Sequence, residues 1–169
     1  MRKQPLLTLC AALLASGLAA ASPPENLAFE RFKGLEGDWA AAEDGDMTKK
    51  GDLVATYRLT GAGSAVVEEL FAGSPHAMTT VYFLDGSDLV LTHYCMSGNQ
   101  PHMRARATSS PKVVFAFDGG TNIDPRRDRF MHNATFEFLS QDELTSTWVE
   151  YADGKQAMTV TTRLVRKSS

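Results

Sequence analysis

The chain is expected to fold as an all-β protein, an antiparallel up-and-down barrel of about ten strands with a short N-terminal helix. Three observations predict this. From residue 35 onward, apolar and polar residues alternate in short runs, the period of a strand with one buried face. Tight turn sequences separate many of these runs, among them TGAGSA, LDGSDL, SSPK, LSQDEL and YADGKQ. Such turns join antiparallel neighbours. A meander of this length would leave two exposed edges, and closing the sheet removes both.

Ahead of the barrel, residues 1–21 follow the order of a secretory signal: basic Arg2 and Lys3, an apolar run, then small residues. Ala19 and Ala21 suit the positions before a cleavage that frees Ser22. The apolar core is short and rich in Ala and Gly for a bilayer of about 30 Å, so a membrane span is not expected. Leu9 stands before Cys10 where a lipid-attachment site wants a small residue. The expected location is therefore secreted or periplasmic.

Removal of the leader takes Arg2 and Lys3 and leaves 148 residues, with 15 basic against 20 acidic side chains and a formal charge of −5. That balance argues against a nucleic-acid or anionic-membrane partner. One domain of this length buries a full core without staples. Cys95 is then the only cysteine, which excludes an internal disulfide and leaves a thiol that is either shielded or reactive.

Residues 22–34 form an N-terminal segment with the helix. Leu27–Leu35 places apolar side chains at 27, 28, 29, 32 and 35, with Asn26 as its cap. The barrel occupies 35–166, with strands near 35–41, 52–60, 65–71, 77–84, 88–95, 102–109, 112–118, 131–139, 144–151 and 156–166. Residues 118–129, DGGTNIDPRRDR, form the one long irregular connection, a rim loop or lid. Residues 167–169 are a polar tail.

The segment LTHYCMSGNQPHMRARA, Leu91–Ala107, holds two histidines and the cysteine. Leu89, Leu91, His93 and Cys95 share one strand face. Two hairpin registers compete. One adds Met103, Ala105 and Ala107 to that face and turns Arg104 and Arg106 to water; the other adds His102 and both arginines. Register follows the hydrophobic pattern, which selects the first. A His93–Cys95–His102 metal set needs the second register and a fourth ligand. A His93–Cys95 nucleophile lacks a visible oxyanion hole or orienting third group. No catalytic residue and no metal ligand is assigned.

Further along, His132, Ala134, Phe136 and Phe138 share a face. Through the Asp153–Gly154 turn, Thr145, Thr147, Val149 and Tyr151 oppose Met158, Val160 and Thr162, letting Tyr151 meet His132. The alternative register pairs His132 with Glu150 and brings Trp148 inward. On the opposite wall Leu53, Ala55, Tyr57 and Leu59 form the apolar face, and either Glu68 or Glu69 points inward with it. An inward Glu needs a donor such as Tyr57 or a histidine. Arg126, Arg127 and Arg129, interleaved with Asp124 and Asp128, form either a solvated loop with local ion pairs or a mouth that attracts an anionic headgroup. NAT at Asn133–Thr135 fits a glycosylation sequon but falls mid-strand.

The helix leading into GDW (Gly37, Asp38, Trp39), the meander, and a basic residue on the last strand (Arg163 or Arg166) resemble the calycin group of lipocalins, fatty-acid-binding proteins and nitrobindin-type haem proteins. LTHYC, GNQP, MHNATFEFL and LTSTWVE are similar to segments of an uncharacterised group of secreted bacterial calycin-like barrels. The resemblance implies a barrel with an internal pocket, and a Trp at the start of the first strand packed against an Arg near the last. It also admits haem, held in nitrobindin-type barrels by a histidine of the C-terminal strands, although no histidine follows His132 here.

The function expected from the residues is binding of a small, mostly apolar molecule inside the barrel, where a few polar anchors orient it. His93, Cys95, His132, Tyr57 and Tyr151 are the anchors, and Glu68, Met103 and Phe136 are also expected to bind the ligand. Two other classes compete: an enzyme doing acid–base chemistry with inward His and Glu, and a packed barrel that makes contacts through its rim.

Overall fold

The computed structural model describes residues 26–108 and 111–168; the expected leader and cleavage point, and Ser109 and Ser110 of the SSPK turn, lie outside them. Ten antiparallel strands close into a barrel. They are β1 Gly37–Ala41, β2 Leu53–Thr60, β3 Ala65–Leu70, β4 Met78–Asp85, β5 Asp88–Tyr94, β6 Gln100–Ala107, β7 Lys112–Thr121, β8 Phe130–Phe138, β9 Glu143–Ala152 and β10 Lys155–Arg166. Each pairs with its sequence neighbours, and β1 pairs with β10 to close the ring. The irregular rim segment is shorter than the sequence implies, because β7 continues to Thr121, where it pairs with Gln100.

A helix, α1 (Leu27–Lys33), plugs one end. Asn26 caps it, its Oδ1 accepting from the Phe29 amide at 2.9 Å. The buried face is Ala28, Phe29 and Phe32. Phe32 enters the barrel, stacking on Tyr82 with ring centroids 4.4 Å apart and meeting Phe136 edge-on at 5.1 Å. Burying a side chain of that size contributes about 2–3 kcal/mol.

Trp39 and Arg166 lock this end. The Trp39 indole N–H donates to the Leu35 carbonyl at 2.7 Å, and the Arg166 guanidinium lies over the indole ring, 4.6 Å from its centroid. The same guanidinium donates to the carbonyls of Gly34, Glu36 and Gln141 and to the Asp142 carboxylate. Helix, first strand, last strand and the β8–β9 turn thus share one planar cation.

Three local registers decide which residues face inward. In β5–β6, Leu91 opposes Met103 and Thr92 opposes His102. This is the facing expected from burial, displaced along the strand: His93, Met103 and Ala105 lie on the inner side. Arg104 is outside, bound by Asp85, Asp88 and Asp118. His102 is outside too, its Nδ1 3.0 Å from the Thr92 hydroxyl.

The other two registers correct the sequence expectation. The Asp153–Gly154 turn has φ of 51° and 70°, as a two-residue primed hairpin requires. It sets the expected pairing of Gln156 with Tyr151. A bulge then slips the ladder by one residue, so Met158 opposes Glu150, Val160 opposes Trp148 and Thr162 opposes Ser146. One slip exchanges the faces, and Ser146, Trp148 and Glu150 point inward in place of Thr147, Val149 and Tyr151. A second bulge leaves His132 unpaired between Met131 and Asn133. His132 thereby drops out of the ladder that carries Ala134, Phe136 and Phe138. It does meet Tyr151, at 4.0 Å between stacked rings, but on the side opposite Glu150.

Candidate functional site

At the end away from α1, the barrel opens into a cavity of about 220 Å³. The loops β1–β2, β3–β4, β5–β6 and β7–β8 form its rim, with Met47, Phe71, Met96 and Arg129 on them. Five of the chain's seven methionines line it: Met47, Met78, Met96, Met131 and Met158. Unbranched, polarizable thioethers adapt to ligands of different shape. Val54, Leu70 and Trp148 complete the apolar wall.

The polar groups of the wall are few. Glu150 is buried and ion-paired with Arg129, the one Lys or Arg of the lining among the described residues. A buried carboxylate needs such a partner. Arg126 and Arg127 on the same rim loop pair with Asp124, so the loop is one of local ion pairs. Asn99 ties the two neighbouring rim loops together, its Nδ2 donating to the Arg129 carbonyl at 2.8 Å.

His93 and Cys95, two residues apart on the inner side of the β5 end, both line the cavity. The His93 ring is tilted against Trp148, with centroids 4.8 Å apart. Its Nδ1 lies 2.9 Å from the Thr80 hydroxyl. Its Nε2 is buried and has no partner. Burial lowers the His93 pKa to about 4, so the ring is neutral at physiological pH.

His93 ends a polar row that crosses four strands. Tyr57 opposes Glu68, Glu68 opposes Thr80, and Thr80 opposes His93. Glu68 is the inward member of the Glu68–Glu69 pair; Glu69 binds Arg58 outside. The Tyr57 and Tyr82 hydroxyls donate to its two oxygens at 2.5 and 2.7 Å. Burial raises the Glu68 pKa, and hydrogen bonds from Tyr57, Tyr82 and Thr80 oppose that rise. Burial and the Glu68 charge push both phenols well above their ordinary value.

The sequence-derived anchors therefore separate into three groups. His93 and Cys95 line the cavity. Tyr57 and Glu68 form the buried network beneath it, with Met103 and Phe136 in the core. His132 and Tyr151 stack on each other, and neither lines the cavity. The interior expected from the sequence includes methionine but not this set of five, and Trp148 and Glu150 face inward there only in the alternative register. The signal for both was present: TSTWVE carries its largest apolar residue on the face with Glu150. No known protein family matches the chain, and no curated protein is similar to it.

Proposed function

We propose that this protein is a lipocalin-like carrier, secreted or periplasmic, that holds a small, mostly apolar molecule at the open end of its barrel. The observation that carries the reading is the cavity itself, apolar and methionine-lined, with a few polar groups in its wall. Membership of the calycin group is part of the proposal and draws support from the Trp39–Arg166 packing, the pairing expected of such barrels. The engineered apolar cavity of about 150 Å³ that takes benzene sets the scale: about 220 Å³ suits a molecule of two fused rings or a short chain.

Haem fits poorly. The histidine that the resemblance would assign to it lies in the C-terminal strands, and His132 there is not among the residues lining the cavity, its ring stacked on Tyr151 and Phe117. The enzyme reading draws on the Glu68–Thr80–His93 row. Yet a histidine held near pKa 4 is a weak base at neutral pH, and Glu68 lies beneath the cavity rather than on its wall. The carrier reading uses more of the site.

Native mass spectrometry of the secreted chain tests it, compared with the denatured mass and with absorbance recorded for haem. An excess mass of a few hundred daltons, released on denaturation, is the expected result. Equal masses, together with failure to take up any apolar probe of two rings, reject it.

A further inference from the structure

Resting on the carrier reading, we infer that the ligand is a neutral molecule whose buried end carries one hydrogen-bond donor, an alcohol, phenol or N–H group, received by Nε2 of His93. The row behind the ring sets the direction of the hydrogen bonds. Glu68 as a carboxylate only accepts; the Tyr57 and Tyr82 hydroxyls donate to it, and Thr80 stands directly opposite it on the next strand. Thr80 has a single proton, and donating it to Glu68 leaves Thr80 Oγ1 to accept from His93 Nδ1–H across 2.9 Å. A neutral imidazole protonated at Nδ1 carries its lone pair at Nε2.

That nitrogen is on the ring edge away from Thr80, and His93 is one of the residues that line the cavity. It is buried and unpartnered, an arrangement that costs stability unless something donates to it. Among the described residues the lining holds no unspent positive charge for an anion. Arg129 is ion-paired with Glu150. A carboxylate inserted head-first would face acceptors; a hydroxyl or N–H would complete the row.

Isothermal titration of the secreted chain with three probes of one shape tests this: 2-naphthol, 2-methoxynaphthalene, which lacks the donor, and 2-naphthoate. The expected order has 2-naphthol binding about tenfold more tightly than either, the scale of one hydrogen bond to a buried group. His93→Phe, which keeps a ring against Trp148, should remove the advantage over 2-methoxynaphthalene. Equal affinity for naphthol and its methyl ether, or tightest binding of naphthoate, overturns the donor inference and leaves the carrier standing. Binding of none of the three overturns both. The wild-type series decides the matter even where the His93 variant fails to fold.

Discussion

Thr80 and His93 oppose each other on neighbouring strands, and the 2.9 Å contact between Oγ1 and Nδ1 holds an imidazole whose other nitrogen is buried and bare. The geometry joins the packed floor of the barrel to its open cavity. It also makes stability depend on pH in a definite direction.

The folded-state pKa of His93 is lowered to about 4, below the unfolded value of about 6.5. Between these values the unfolded chain binds more protons, so the stabilisation present above pH 6.5 is lost as pH falls toward 4. From pH 7 to pH 5 the loss from this residue is about 2 kcal/mol. Glu68, with its raised pKa, acts with the opposite sign. Urea unfolding of wild type and His93→Phe at both pH values isolates the histidine: the wild type's stability relative to the variant should fall by that amount. A difference independent of pH rejects the assignment.

Tyr57→Phe and Tyr82→Phe each strip one donor from Glu68. Removing one partner of a buried acceptor costs about 1–3 kcal/mol. Because both phenols serve one carboxylate, their costs should not add. Guanidinium unfolding of the singles and the double measures this; costs under about 0.5 kcal/mol would show that the network is not structural.

Arg166→Lys keeps the charge but loses the planar fork that reaches three carbonyls and Asp142 while covering Trp39. We expect Lys to recover less than half of the loss of about 2–3 kcal/mol caused by Arg166→Ala. Thermal melts of the two variants compare them directly, and a Lys variant as stable as wild type rules the fork out.

Ser146→Leu places a larger apolar group on the cavity wall. Binding of an apolar probe should fall at least about tenfold, while stability changes by no more than about 1–2 kcal/mol. Titration calorimetry beside a denaturation curve separates the two effects. Unchanged affinity would place the ligand elsewhere.

The sequence by itself determined the helix at Leu27, all ten strands and the closed meander, because alternation and turn chemistry are local and repeat along the chain. It also placed His93 inward and Arg104 outward, since a one-residue error there would have buried guanidiniums. Only the tertiary structure decided the C-terminal wall. There, TSTWVE and QAMTVTT can bury either face at similar cost, and the choice rests on bulges at His132 and between Gln156 and Met158. A bulge adds one residue to one strand and leaves no pattern in composition, yet it exchanges every side chain beyond it. That is why Trp148 and Glu150, rather than Tyr151 and His132, face the cavity.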